Sequence, residues 1–194
     1  MELVLVRHAL PVRVDTPRGA PADPALSEEG RAQAERVAAW LAAESFDRVI
    51  TSPMRRAAET AAPFAARTGT EAIVEPGVVE FDRDAEIYIP LEELKRMDYA
   101  RWRELVVSGK YAGLDPAAFR DTVVAAMERI IAAARGGRAV VFTHGGVINV
   151  WAAHVLGIQT PLFFAPQYTS IHRFLCASTG QRSVVSLNES AHLR

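Results

Sequence analysis

The stretch Glu2-Leu3-Val4-Leu5-Val6-Arg7-His8-Ala9 decides how the chain is read. Leu3 to Val6 is an unbroken apolar run with β-branched residues at alternate positions. That is the pattern of a strand buried in a parallel sheet. Arg7 and His8 follow at its carboxyl end. Open α/β sheets bind ligands outside the carboxyl ends of their strands, so a cation and an imidazole there are placed to meet an anion. Taken alone, the pair is better explained by a solvated arginine and a loop histidine. The anion-site reading depends on matching groups elsewhere in the chain.

Composition bounds what those groups can be for. The chain has 194 residues and is 49% hydrophobic, enough for one domain, 1–194, with a sizeable core. It carries 22 basic and 23 acidic residues, a net charge of -1. That gives no overall electrostatic case for nucleic acid or an anionic membrane as partner, so any anion site is local. The single cysteine, Cys176, lies in an apolar run and reads as core packing. The run before Arg7 is too short for a signal peptide, and no apolar run approaches the roughly 20 residues of a membrane helix. The expectation is a cytoplasmic protein without membrane contact.

Strand and helix patterns alternate along the chain. Pro11 to Pro24, with Pro17, Gly19 and Pro21, is a loop beside the first strand. Ser27 is an N-cap, and Ala34, Val37, Ala38 and Leu41 recur at helical spacing over about 27–43. Phe46 to Thr51 reads as a strand. Ser52-Pro53 then reads as a cap followed by proline at the first helical position, opening a helix that Gly69 ends. Ala72 to Val74 is a short strand leading to Glu80. Residues 82–116 break the rhythm and read as an insertion, with a helix from Pro90, that caps the sheet edge. Asp115-Pro116 opens a helix marked by Phe119, Val123, Ala126, Ile130 and Ala134. Ala139 to Thr143 is another buried strand, followed by His144-Gly145-Gly146 and a helix over 147–156. Ile171 to Leu175 and Ser183 to Leu187 are closing strands, and the last residues read as a frayed tail. The expected fold is an α/β three-layer sandwich, a mostly parallel central sheet flanked by helices.

Two further groups match Arg7 and His8. Arg55 and Arg56 lie in the first turn of a helix, where a cation opposes the helix dipole by about 0.3–1 kcal/mol. Arg55 has Glu59 four residues on and is explained by that pair. Arg56 has Thr60 there instead, and an arginine without a partner suits a phosphate visiting the helix N-terminus. His144 repeats the placement of His8, at the end of a buried strand, and Gly145 and Gly146 after it allow close backbone approach. His154, His172 and His192 read as structural or surface residues. No histidine spacing resembles a zinc motif, so neither metal nor other cofactor is expected.

In order along the chain, these segments resemble the histidine phosphatase superfamily, which includes the cofactor-dependent phosphoglycerate mutases. Val6-Arg7-His8-Ala9 looks like its Arg-His-Gly signature. Asp23, Leu26, Ser27, Gly30, Gln33 and Ala34 match a second motif, and Thr51 to Thr60 is similar to the segment with its Ser, Arg and Thr. Val79-Glu80 resembles the short segment with its acidic residue, and Thr143 to Ile148 resembles its second histidine motif. The resemblance implies that His8 is the nucleophile taking the phosphoryl group, that Arg7, Arg56 and His144 hold its oxygens, and that Glu80 is the proton donor. His8, Glu80 and His144 are thus the expected catalytic residues. It implies a metal-independent phosphomonoester hydrolase acting on a small phosphorylated molecule through phosphohistidine. A protonated His144 would help neutralise the charge on the phosphate.

The residues are consistent with these roles. Imidazole attacks phosphorus only when unprotonated. Phosphoryl transfer needs positioning and charge neutralisation, which two forked guanidiniums supply. Asp82, Asp84 and Glu86 are the alternatives to Glu80 as proton donor. The chain departs from the family in three places. Leu10 stands where the family usually has Glu or Gln, and Val14 where it often has Asn. Phe81-Asp82-Arg83-Asp84 replaces the run that follows the acidic residue in the mutases, which disfavours a mutase. Leu10 and Val14 leave open a phosphate-binding protein without catalysis. Tyr88, Trp102 and Tyr111 read either as lid packing or as a wall of the substrate pocket. A homodimer stays open.

Overall fold

The computed structural model describes residues 1–15, 19–108, 115–134, 136–160 and 162–194. The readings of Pro17 and Tyr111 lie outside them. In chain order the elements are β1 (Glu2–Arg7), α1 (Glu28–Leu41), β2 (Arg48–Thr51), α2 (Arg55–Thr68), β3 (Ile73–Val74), α3 (Leu91–Met97), α4 (Tyr99–Ser108), α5 (Pro116–Ala133), β4 (Arg138–Thr143), α6 (Gly145–Leu156), β5 (Ile171–Cys176) and β6 (Arg182–Glu189). The sheet order is β3-β2-β4-β1-β5-β6. The first four of these strands are parallel neighbours. β5 runs antiparallel to both β1 and β6, so the sheet is mixed at one side.

The period-two geometry of a strand sorts the apolar runs onto two faces. Leu3, Leu5, Ile50, Ala139 and Val141 face one core, completed by α5 and α6 through Val123, Met127, Ile148 and Trp151. Val4, Val6, Val49, Val140 and Phe142 face the other, completed by α1 and α2 through Val37, Leu41, Ala61 and Phe64. Burying both faces explains why β1 and β4 read as continuous apolar runs. It makes the fold the expected three-layer α/β sandwich. Each such side chain contributes about 1.5–3 kcal/mol over leaving it in water.

The expected caps of α1 and α5 form. Ser27 Oγ accepts from the Gly30 N–H at 3.0 Å, and the Asp115 carboxylate accepts from the Ala117 N–H at 2.9 Å. Gly30 is required there, because a Cβ would fall 2.0 Å from the Leu10 carbonyl oxygen.

Four sequence expectations need correction. Ser52 does not cap α2; the helix begins at Arg55, after an extended Met54, and the Asp23 carboxylate accepts from the Arg55 N–H. The helix after His144 starts at Gly145, two residues earlier than its apolar run. The tail is docked: His192 is buried, its ring 6.2 Å from that of Trp40 on α1. The segment from Glu80 to Trp102 lies over the carboxyl ends of the strands and lines the cavity there, instead of covering the sheet edge. It is fastened by a two-way backbone bridge between Val14 and Tyr88.

Candidate active site

Parallel pairing of β1 with β4 places the two candidate histidines side by side. Arg7 is in register with Thr143, and the His8 N–H donates to the Thr143 carbonyl at 2.8 Å. The next residue on each strand is a histidine, and their ring centroids lie 5.2 Å apart. Pairing of β2 with β4 adds Ser52, whose N–H donates to the Phe142 carbonyl at 3.0 Å. Arg7, His8, Arg56 and Glu80 line one cavity above these strand ends. His144, fully buried beside His8 and not itself part of the cavity lining, joins them at the same end of the sheet.

His8 is buried, and its Nδ1 lies 2.8 Å from the Ala9 carbonyl oxygen. A carbonyl only accepts, so Nδ1 carries the proton and Nε2 keeps its lone pair. Burial, then the charges of Arg56 and Arg7, hold the ring well below the usual histidine range and therefore neutral. The loop is tied down by Thr60, whose hydroxyl accepts from the Ala9 N–H and donates to the Arg56 carbonyl.

His144 is fully buried, with Nε2 2.8 Å from Ser52 Oγ. Burial, Arg56, His8 and Arg7 lower its pKa well below the usual value too. These effects favour a neutral His144 over the protonated one expected. A neutral ring still donates if the Ser52 hydroxyl donates to Nε2, which leaves the proton on Nδ1.

The arginines differ in exposure as the sequence suggested. Arg55 is exposed and pairs with Glu59 at 2.6 Å. Arg56 is fully buried, its Nη2 2.7 Å from Asp82 Oδ1 and its guanidinium 4.7 Å from the centre of the Tyr88 ring. Arg7 Nη1 donates to Glu92 Oε1 at 2.6 Å and to the Pro166 carbonyl, and its guanidinium lies 4.0 Å from the centre of the Tyr168 ring. Burial works against both charges, but Glu92 and Asp82 outweigh it and both arginines stay cationic. Arg7 Nε, Arg56 Nε and Nη1, and His144 Nδ1 are buried with no hydrogen-bond partner among the described residues.

Glu80 Oε2 accepts from the Gly146 N–H at 2.8 Å, and Oε1 from the Phe81 N–H at 3.1 Å. Burial first, then the charge of Asp82, pushes its pKa up to about 7, against the pull of those bonds and of Arg56. Among its rivals, Asp82 is committed to Arg56, Asp84 pairs with Arg83, and Glu86 is exposed. Gly146 is needed at this contact: a Cβ there would sit 2.2 Å from Glu80 Oε1.

Sequence reasoning missed Ser52, Glu92 and Tyr168 as neighbours of the site. Ser52 was legible only as a cap, and Tyr168 stood in no motif.

The model of the histidine phosphatase superfamily (branch 1) matches residues 3–190. The chain belongs to that superfamily. It is accordingly a phosphatase of the histidine phosphatase type. Phosphoserine phosphatase 1 of Hydrogenobacter thermophilus is 26% identical over 204 residues, covering 100% of this chain and 94% of its own. Among solved structures, a phosphoserine phosphatase mutant of Entamoeba histolytica in complex with phosphoserine superposes with a TM-score of 0.78. It is 20% identical and covers 100% of this chain and 99% of its own. The mycobacterial glucosyl-3-phosphoglycerate phosphatase gives 0.75 at 19% identity, covering 97% and 99%. No helix among the described residues is long and apolar enough to cross a membrane.

Proposed function

We propose that this histidine phosphatase hydrolyses small-molecule phosphomonoesters through a phosphohistidine on His8, without a metal. The supporting observation is a set of buried nitrogens without partners among the described residues, Arg7 Nε, Arg56 Nε and Nη1, and His144 Nδ1, on residues whose charges or rings neighbour the His8 imidazole. A buried donor without a partner costs about 1–3 kcal/mol, more when charged. A phosphate dianion would satisfy all four, taking the guanidinium edges that Glu92 and Asp82 leave open.

His8 Nε2 attacks phosphorus while the bond to the leaving oxygen breaks. Arg7, Arg56 and His144 take the charge that spreads over the other oxygens. Glu80, protonated near neutrality, gives its proton to the departing alkoxide. Water then attacks the phosphorus, its proton passes to the Glu80 carboxylate, and the P–N bond breaks. Inorganic phosphate leaves and both residues are restored. The relatives named for phosphoserine and glucosyl-3-phosphoglycerate support a small phosphorylated substrate.

The test is chemical trapping. With phosphorus-labelled aryl phosphate and a chelator present, acid-labile, base-stable label accumulates on the protein and is absent from His8→Ala. Hydrolysis that survives in His8→Ala, or that needs a metal restored after chelation, would overturn the reading.

A further inference from the structure

The cavity above His8 is far larger than a phosphoryl group, at about 940 Å³, the upper end of small-molecule sites. Its outer walls are apolar. From the cap come Tyr88 and Leu94, both buried, and Leu91 and Trp102, both half-buried. From the segment after α6 come Leu162, Phe163 and Phe164, half-buried against the cavity. Asn149 holds this second wall. Its Nδ2 donates to the Gly145 and Phe164 carbonyls, and its Oδ1 accepts from the Phe163 and Phe164 N–H groups. The carboxamide is spent on the fold and braces the aromatic pair, whose centroids lie 4.9 Å apart, against the first turn of α6.

Among the described residues, the charged groups lining the cavity fall into two sets. Arg7, Arg56, Glu80, Asp82 and Glu92 are bonded to one another or to backbone as described, and belong to the phosphoryl end. Glu86, Lys95 and Arg101 are exposed, and the Lys95 ammonium lies 4.5 Å from the centre of the Trp102 ring. An amino-acid or sugar-acid leaving group would lose its hydration against hydrocarbon, with the Asp82 and Glu92 carboxylates nearby to repel its own.

We infer that the leaving group for which this cavity is built is an apolar alcohol, so that the substrates are alkyl or aromatic phosphomonoesters and not charged esters of the phosphoserine type. This rests on the phosphatase reading above. Hydrolysis breaks the bond between phosphorus and the ester oxygen, which leaves as the alcohol with the proton from Glu80.

The experiment uses ethyl, butyl and hexyl phosphate, whose leaving groups are similar in basicity, with phosphoserine beside them. Each methylene fully buried is worth up to about fourfold. The expected result is a kcat/KM that rises at least about tenfold from ethyl to hexyl, with phosphoserine below ethyl. Trp102→Ala and Phe163→Ala should lower kcat/KM for hexyl phosphate at least about fivefold more than for ethyl phosphate. The matching ethyl- and hexylphosphonates, which cannot be hydrolysed, are titrated by calorimetry and should show the same order in Kd. Hydrolysis independent of chain length, or best with phosphoserine, overturns the inference and leaves the phosphatase reading intact. Chain-length-dependent phosphonate binding with no ester hydrolysed supports the apolar pocket and overturns the phosphatase reading.

Discussion

Arg7 Nη1 and Glu92 Oε1 lie 2.6 Å apart, although 85 residues separate them in the chain. Glu92 also accepts from the Tyr168 hydroxyl at 2.9 Å, so a carboxylate of the cap stands at one of the two cationic groups meant for phosphate. An incoming dianion must displace it or sit beside it. Glu92→Gln therefore tightens binding of inorganic phosphate and lowers KM, with kcat little changed. The expected size is roughly three- to tenfold, as for one unit charge a few ångströms away in a half-solvated site. Titration calorimetry with phosphate checks it; weaker binding in the variant would make Glu92 a support for Arg7 and not a competitor.

Glu80 should make the protein's stability and its rate depend on pH in one window. Its folded-state pKa of about 7 lies above the ordinary 4.5. A raised pKa contributes stability that is fully present below the unfolded value and is lost as pH rises through the folded one. The gap corresponds to about 3 kcal/mol between pH 4.5 and 7. His8 and His144, with lowered pKa values, act in the opposite sense, losing stability as pH falls. The difference between wild type and Glu80→Gln isolates the carboxyl: the wild-type advantage shrinks as pH climbs through that window. The same titration gives kcat/KM an alkaline limb near pH 7 that Glu80→Gln lacks. The variant should lose about 10²–10³-fold on alkyl phosphates and much less on aryl phosphates with acidic leaving groups. A flat difference in unfolding free energy would count against a buried, proton-donating Glu80.

What could be read from the sequence was what local pattern carries. Apolar runs ending in Arg7-His8 and Thr143-His144 announced two buried strands with reactive groups at their carboxyl ends. Parallel register then did the rest, since equal strand lengths bring equal positions together. The unread part lies in contacts between distant segments. Glu92 and Glu93 are neighbours with the same chemistry, yet one bonds Arg7 and the other Arg13. Helical phase within α3 cannot say which arginine each will meet. Ser52 was misread for a related reason: a serine before proline satisfies the rules for a helix cap, but a buried imidazole with a free nitrogen was the stronger claimant on its hydroxyl.

Ser52→Ala should act through His144. The hydroxyl 2.8 Å from Nε2 fixes the ring's orientation and, where it donates, leaves the ring proton on Nδ1. Without it the buried Nε2 has no partner, and the proton can move to the wrong nitrogen. The expected cost is about 1–2 kcal/mol of stability and about tenfold in kcat/KM. Ser52→Thr, which keeps the oxygen, should recover most of the rate if the extra methyl is accommodated. Chemical denaturation and steady-state kinetics read the two effects separately. Unchanged kinetics in Ser52→Ala would mean that His144 is held by packing alone.

Arg56 and Arg55 give a paired test, because they are adjacent, identical in type and opposite in surroundings. Arg56 is fully buried, bonded to Asp82 by Nη2, with Nε and Nη1 unsatisfied. A guanidinium can hold a carboxylate on one edge and a phosphate on another, whereas an ammonium is a point charge and must choose. Arg56→Lys should therefore lose about 10²-fold or more in kcat/KM, close to 3 kcal/mol of transition-state binding, although the formal charge is unchanged. Arg55 is exposed and pairs with Glu59, a contact that lysine reproduces. Arg55→Lys should stay within about twofold of wild type. Equal losses in the two variants would remove Arg56 from the phosphate site.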